Sequence, residues 1–327
     1  MNIMVVGGAG YIGSHAVRLL IAAGHQVTVY DNLSRGHREA VPDGLLVEGD
    51  LTDRARVVSV LRECKIEAVM HFAAFALVNE SVADPALYYR NNVIAALELL
   101  EAMREAEVTK IVFSSTTATY GEPGTMPISE DTPQQPINPY GFTKLVIEQA
   151  LADYASAYGL GYAALRYFNA AGAHPDGNIG EDHDPESHLI PVVLQVALGQ
   201  REQITIFGDD FATPDGTCLR DYIHVDDLAS AHSRALELIE PGKGICLNLG
   251  TGRGTSVLEI VEACRKITGH PIPVVMGDRR AGDPPELVAD NRRAKELLGW
   301  APGYTEIDSI IESAWNWHQS HPRGYAT

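Results

Sequence analysis

Residues 2–13 read NIMVVGGAGYIG, and this stretch decides the fold. Asn2 to Val6 is short and apolar, the pattern of a strand buried on both faces. Gly7, Gly8, Gly10 and Gly13 come next, and SHAVRLLIAAG then has the make-up of a helix. Gly8, Gly10 and Gly13 satisfy G-x-G-x-x-G, and Gly7, Gly10 and Gly13 satisfy the G-x-x-G-x-x-G variant. Such glycines permit a tight turn and let backbone approach a pyrophosphate at the helix N-terminus. Alone the pattern is weak; a strand before it, a helix after it and a well-spaced acidic residue strengthen it. HQVTVY supplies the last of these, a second strand that ends at Asp31. A carboxylate there accepts hydrogen bonds from adenosine ribose hydroxyls and repels a 2′-phosphate, which favours NAD over NADP. Arg35 and Arg38 lie close by and leave a 2′-phosphate open.

The alternation continues. LLVEGDLTD is a third strand ending at Asp50-Leu51, beside the adenine, and AVMHFAA is a fourth, with Phe72-Ala73-Ala74 under the dinucleotide. A helix runs from Pro85 and contains Asn91 and Asn92, poor helix formers that either form a solvated stripe or orient the cofactor or a neighbouring helix. KIVFSS is a fifth strand ending in Ser114-Ser115-Thr116-Thr117, and GYAALRY is a sixth. Strands alternating with helices predict a Rossmann-type doubly wound parallel sheet, in which strand C-terminal ends face the ligand. Beyond Asn169 the pattern loosens into Gly-, Pro-, Asp- and His-rich loops. We therefore expect a cofactor domain over 1–168 and a smaller C-terminal α/β substrate domain over 169–327. CLRDYIHVDDLASAHSRALELIE and ICLNLG, within 218–250, are expected to return the chain to the main sheet, so that part of 220–250 joins the first domain.

Asn138-Pro139-Tyr140-Gly141-Phe142-Thr143-Lys144 begins another helix, with Asn at the N-cap and Pro at the first position. Tyr140 and Lys144 sit four apart and share a face. A phenol with a pKa of about 10 is a poor base at neutral pH. A nearby ammonium and the helix N-terminus both favour the phenolate. A Tyr tuned in this way takes a proton from a hydroxyl while a hydride leaves the same carbon, and one of the hydroxyls of Ser114-Ser115-Thr116-Thr117 can share that proton. The pair gains meaning only from the nucleotide site that precedes it.

The 327 residues carry a net charge of −18, which argues against general affinity for nucleic acid or anionic membrane. An anionic ligand must then be held by locally placed Arg, Lys or N–H groups; Arg220, Arg279 and Arg280 suit a diphosphate. Cys64, Cys218, Cys246 and Cys264 form no C-x-x-C pair, as in reduced cytoplasmic proteins. No signal peptide and no membrane-spanning run is expected. His174, His183, His188 and His224 have irregular spacing that matches no compact ligand motif, so no metal is expected.

GGAGYIGSH, DNLSRGH, FSSTTATYGEP, NPYGFTK, RYFNAAGA, IGEDHDPESHLIP, TPDGTCLRDYIHVDDLA and RRAGDPPELVAD together resemble the UDP-glucose 4-epimerases of the extended short-chain dehydrogenase/reductase family, nearly end to end. The first two motifs mark the superfamily; those in the second half are far more specific. The resemblance implies a tightly held NAD, reduced and reoxidised in each turnover. It implies that Tyr140 is the base, that Lys144 lowers its pKa and binds nicotinamide ribose, and that Thr116 stands beside the reacting hydroxyl. Gly7, Gly10, Tyr11, Ile12, Gly13, Asp31, Asn32, Asp50, Leu51, Phe72, Ala73, Ala74, Asn92, Ser114 and Phe168 would line the cofactor. Asn169, His188, Leu189, Phe207, Arg220, Tyr222, Arg280 and Asp283 would hold UDP, with Leu287 near the sugar C2 substituent. Ala76 stands where several family members carry Lys, which removes a positive charge near the cofactor. UDP-glucose and UDP-galactose are the implied substrates, and a homodimer through helices at about 86–105 and 139–158 is implied as well. Two other readings compete: a sugar-nucleotide 4,6-dehydratase or decarboxylase, and a non-catalytic NAD-responsive regulator. Thr117-Ala118 stands where dehydratases carry an Asp-Glu pair, and the joint presence of Thr116, Tyr140 and Lys144 counts against a regulator.

Overall fold

The computed structural model describes residues 1–280 and 283–325. Its first half contains β1 (Asn2–Val6), α1 (Tyr11–Ala22), β2 (Gln26–Asp31), β3 (Leu46–Glu48), α2 (Arg54–Glu63), β4 (Ala68–His71), α3 (Val78–Ala83) and α4 (Pro85–Tyr88). A π-helical turn, Tyr89–Ile94, leads into α5 (Ala95–Glu105), followed by β5 (Lys110–Thr116), α6 (Pro139–Tyr158) and β6 (Gly161–Tyr167). The second half contains β7 (Asn169–Ala171), α7 (Leu189–Ala197), β8 (Ile204–Phe207), β9 (Leu219–His224), α8 (Val225–Glu237) and β10 (Gly244–Leu249). It ends with β11 (Gly254–Ser256), α9 (Val257–Thr268), β12 (Val274–Gly277), β13 (Glu286–Leu287), α10 (Arg292–Leu298) and α11 (Ile307–Ser320).

The main sheet has the order β10-β6-β5-β4-β1-β2-β3, and every pairing in it is parallel. The order in which strands are added reverses at β1, between β2 and β4, and a ligand crevice opens above such a switch point. The glycine turn leaves β1 there. Successive side chains of β1 enter opposite layers, as the period of two requires. Met4 and Val6 pack with Val57, Leu61, Leu99 and Leu151 from α2, α5 and α6. Ile3 and Val5 pack with Val17, Leu20, Leu228 and Leu236 from α1 and α8. Burial on both faces explains why the strands read as unbroken apolar runs.

Two details differ from the sequence-based expectation. Asp50 and Leu51 follow β3 in a loop, because β3 stops at Glu48. The return to the main sheet begins later than expected: β9 joins a small second sheet with β7, β11 and β13, while α8 packs on the main sheet and β10 becomes its edge strand. The cause is Asp221 on β9. Its fully buried carboxylate accepts from the backbone N–H groups of Thr251 (2.8 Å), Gly252 (2.9 Å) and Ala289 (3.2 Å), which fastens β9 to the segments around β11 and β13. A third apolar cluster, from α7, α9, α11 and β8, fills the C-terminal region.

Candidate active site

The glycine turn is a cradle that only glycine can form. Gly7 has φ +78°, and a Cβ there would strike the backbone of Ala73; a Cβ on Gly13 would strike the Gly7 carbonyl. The turn therefore presses against the loop after β4 and opens onto the N-terminus of α1, where N–H groups and the helix dipole favour a pyrophosphate. Asp31 closes one side. Its carboxylate accepts from Ala9 N (3.0 Å) and Leu33 N (2.9 Å), and burial pushes its pKa up against those bonds. Asn32 donates to Asp50 at 2.8 Å, so these two form one rim. The alternative of a 2′-phosphate weakens here. Arg35 is engaged by Glu80 (2.7 Å) and the Asp184 carbonyl (3.0 Å), and Arg38 pairs with Glu48 (2.5 Å). Phe72, Ala73 and Ala74 follow β4 directly and are half-buried at the floor. Tyr11 and Ile12 open α1, and the Tyr11 hydroxyl donates to the Gly172 carbonyl at 2.6 Å. These residues fit a dinucleotide with an unphosphorylated adenosine ribose.

The second constellation is built by α6. Asn138 caps the helix by accepting from Gly141 N at 2.8 Å, Pro139 opens it, and Gly159 closes it in the left-handed conformation. Tyr140 is half-buried beside Thr116, the last residue of β5. Lys144 is buried one turn on; its Nζ donates to the Ser114 carbonyl at 2.7 Å and lies 4.8 Å from the centre of the Phe113 ring. Ser114 and Tyr167 share a short hydroxyl–hydroxyl hydrogen bond. Burial pushes the Tyr140 phenol up, and the hydrogen bond with the Thr116 hydroxyl opposes it. Burial itself lowers Lys144 to about 7, against the attraction of Glu148. In the protein alone Lys144 is committed to the end of β5.

Residues expected to hold the nucleotide gather from several elements of the second half. Asn169 and Tyr222 are opposite each other on β7 and β9, and Leu287 is opposite Arg220 on β13 and β9. Arg220 grips Asp283 at 2.6 Å, and the Arg280 guanidinium lies 3.9 Å over the ring of Phe207, at the end of β8. Tyr222 differs from expectation: its side chain is buried with Ile260 and Ile310 in the third apolar cluster, so its ring serves the core. Phe168 sits between β6 and β7, and Leu189 is the first residue of α7. The histidines separate into two sets. His224 stacks on Tyr304 and His174 pairs with Asp176, whereas His183 and His188 both turn to Glu181. Burial opposes the charge on His183, but Glu181 and Glu186 together raise it to about 10.

The model of the NAD dependent epimerase/dehydratase family matches residues 3–250. A UDP-glucose 4-epimerase of Halalkalibacterium halodurans is 55% identical over 328 residues, covering 100% of this chain and 98% of that protein. The crystal structure of UDP-glucose 4-epimerase from Brucella ovis in complex with NAD is 54% identical, with a TM-score of 0.93 over 96% of this chain and 97% of that one. The UDP-Glc/GlcNAc 4-epimerase of the human pathogen Campylobacter jejuni is 42% identical, with a TM-score of 0.85 over 98% of this chain and 99% of that one. The chain belongs to the NAD dependent epimerase/dehydratase family. The glycine cradle and Asp31 are what a member of this family needs to hold its dinucleotide.

Sequence reasoning missed the residues that hold α6 in this family member. Glu148, one turn beyond Lys144 and only 5% exposed, accepts from Arg166 Nη2 at 2.6 Å and from Arg166 Nε at 2.9 Å. It also accepts from Ser115 on β5 and from Gln134 at 3.0 Å. Arg166 reaches on to the Tyr120 hydroxyl (2.8 Å), which donates to Asn248 on β10 (2.8 Å). One signal was available: Arg166 is the single charge in the apolar strand GYAALRY. On the other side Asn92, buried in the π-helical turn, donates to Phe75 O (3.0 Å) and Thr143 Oγ1 (3.2 Å) and accepts from Phe75 N (2.9 Å). Asn92 thus clamps α6 to the loop after β4, which resolves its two sequence readings in favour of orientation. Glu148→Gln is expected to destabilise the fold by about 3–5 kcal/mol, because it leaves Arg166 buried and unpaired. The Glu148→Leu/Arg166→Met double variant should lose less than either single change. Urea unfolding of Glu148→Gln, the double variant and its two single changes checks this; an unchanged midpoint for Glu148→Gln would deny the pair its structural role.

Proposed function

We propose that this chain interconverts UDP-glucose and UDP-galactose by inverting C4 of the sugar through a 4-keto intermediate. The observation that carries the reading is the meeting of Thr116, Tyr140 and Lys144 at the C-terminal end of β5, beside the switch-point crevice. Bound NAD supplies the oxidant for C4 and the reductant that restores it. Tyr140 then holds the proton of the C4 hydroxyl, with Thr116 as the neighbouring hydroxyl through which that proton passes. Tyr140 lies in the first turn of α6, where the helix dipole favours the phenolate against the burial that disfavours it. Lys144, held by Ser114 O, would bind the nicotinamide ribose and, when protonated, would favour the Tyr140 phenolate. Inversion requires the keto sugar to present its other face, so the nucleotide must be gripped and the hexose left free to turn. Arg220, Arg280 and Asn169 concentrate polar contacts on the nucleotide side. At the dehydratase position, Thr117 and Ala118 open a short helical turn and bring no carboxylate. Tyr140→Phe should retain the fold and lower turnover of UDP-galactose to UDP-glucose by about 100-fold or more. The measurement is product formation from UDP-galactose. Near wild-type turnover by the Phe variant would remove Tyr140 as the base, and a 4-keto-6-deoxy product from the wild type would favour the dehydratase reading.

We take residues 1–168 with α8 and β10 as the unit that holds the cofactor, and most of 169–327 as the unit that holds the UDP-sugar. Four free cysteines suit a reducing cytoplasmic setting, and no helix among the described residues is long and apolar enough to cross a membrane. The reaction is one that galactose metabolism requires.

Leu287, half-buried on β13 and opposite Arg220, stands where the sugar C2 substituent is expected. Leu is shorter and more flexible than an aromatic residue, which leaves room for an N-acetyl group. The Campylobacter jejuni neighbour, whose name includes both UDP-Glc and GlcNAc, supports a dual substrate range. A pocket difference of a few methylene groups discriminates by about 1–3 kcal/mol, so selectivity should be partial. Comparison of kcat/KM for UDP-glucose and UDP-N-acetylglucosamine in the wild type and Leu287→Tyr checks the gate. The Tyr variant should lose N-acetyl activity by about tenfold or more relative to UDP-glucose; an unchanged ratio removes Leu287 from this role.

The chain works as a homodimer through a helix bundle. Val82, Tyr89, Ile94, Phe142 and Tyr158 are exposed apolar side chains on α3, the π-helical turn and α6, and the rings of Tyr89 and Phe142 lie 6.4 Å apart. An apolar face of this kind marks an association surface. Val82→Asp/Ile94→Asp should run as a monomer in light scattering, against a dimer for the wild type; a monomeric wild type would end the proposal.

A further inference from the structure

The loop between β7 and α7 carries a cluster apart from Thr116, Tyr140 and Lys144, and it takes up His188, which the resemblance assigns to UDP. Glu181, His183, Glu186 and His188 lie within eight residues, at spacings of two, three and two. Each offers one nitrogen or oxygen, and the four atoms all lie within 4.8 Å of one another. His183 Nδ1 is 3.3 Å from Glu181 Oε1 and 3.6 Å from Glu186 Oε2, and His188 Nδ1 meets the same Glu181 oxygen. Both imidazoles therefore aim their Nδ1 atoms at the same Glu181 oxygen, and His183 also faces Glu186.

We propose that these four side chains bind one divalent transition-metal ion of the zinc class, as a closed structural site.

Geometry is the first support. A tetrahedral ion with bonds of about 2.0–2.2 Å separates its ligand atoms by roughly 3.3 Å, which the His183–Glu181 and His183–Glu186 separations approach, while His188 must draw back from Glu181 to admit the ion. The ligand chemistry is the second. Two imidazoles and two carboxylates suit zinc, whereas a magnesium or calcium site would be expected to use oxygen ligands throughout. Charge is the third. The Glu181 and Glu186 side chains are each only 4% exposed, and in the ion-free protein the raised His183 and His188 supply the positive charge that these carboxylates need. A dication with two neutral imidazoles would keep the same balance, its binding releasing two protons to solvent.

The surroundings are those of a braced ligand set. Glu186 Oε1 accepts from Ser187 N (2.7 Å) and His188 N (2.8 Å), which leaves Oε2 directed at His183. Trp317 Nε1 donates to the Glu181 carbonyl at 3.1 Å, and His37 is 3.1 Å from the Asp182 carbonyl. These contacts fix the loop backbone that carries the four side chains. Four protein ligands leave no open position, so the ion would be structural rather than catalytic. Its place also links it to the cofactor turn, because the His183 ring lies edge-to-face 6.1 Å from Tyr11. The ion would hold the loop against the dinucleotide and slow its loss.

The test uses the purified full chain with its cofactor bound, dialysed against a chelator and then titrated with Zn²⁺ or Co²⁺. About one Zn²⁺ per chain should bind, the thermal midpoint should rise, and Co²⁺ should give the visible bands of a tetrahedral nitrogen/oxygen site. His183→Ala/Glu186→Gln should weaken Zn²⁺ binding by at least about 100-fold, the upper range for loss of metal-supporting groups. Equal binding by wild type and variant overturns the proposal, as does the absence of stoichiometric binding. Should the variant fail to fold, the wild-type Co²⁺ spectrum still decides. Octahedral bands, or the charge-transfer bands of thiolate ligation at a cysteine, would overturn it.

Discussion

The buried ion pair between Glu148 and Arg166 is the interaction on which the placing of Tyr140 and Lys144 depends. Both partners are about 5% exposed, inside a layer that is otherwise apolar. Removing two charges from water is costly, and their attraction offsets that cost only where hydrogen bonds satisfy the remaining valences. Here they do: Ser115, Gln134, Tyr120 and Asn248 complete the network across β5, β6 and β10. The result is directional. An apolar contact tolerates a small slide of α6 along the sheet, whereas a forked pair does not. Since Lys144 lies one turn before Glu148 and Tyr140 one turn before that, the register of the whole helix is set by this pair.

Asn92 holds the opposite side of the same helix, and its place in a π-helical turn has a physical reason. The wider turn breaks the regular hydrogen-bond ladder, and π-turns often occur at functional sites. Three hydrogen bonds to Phe75 and Thr143 then join the loop after β4 to α6. The substrate side is organised by a second buried carboxylate, Asp221, which gathers three backbone N–H groups and so sets Arg220 on the adjacent position of β9. Three buried polar side chains thus locate three parts of one crevice.

Much of this was legible in order along the chain. Strands 2–6, 26–31 and 161–167, the helix from Pro139, the glycine turn and Asp31 follow from local pattern, because apolar runs, caps and glycines act over a few residues. The groups that hold them together were less visible. Glu148 is indistinguishable in sequence from a solvated helix-face acid, and Asn92 from a surface Asn, until the partners that lie 18 and 51 residues away are in place. The histidines show the same limit. Irregular spacing hid the convergence of His183 and His188 on Glu181, because a loop can fold its ligands together with no period at all.

The sequence by itself determined the doubly wound sheet, the dinucleotide turn, the Tyr140–Lys144 pair and the resemblance that links them to C4 inversion. These rest on local conformational preference and on short motifs whose spacing is their geometry. Only the tertiary structure decided that Lys144 is bound to the end of β5, that Arg35 and Arg38 are paired with carboxylates, that β9 belongs to the second sheet and that the Tyr222 ring lies in the core. Each depends on which distant group compensates a charge or fills a space. Burial and pairing are set by the three-dimensional neighbours of a residue, and sequence distance carries little information about them.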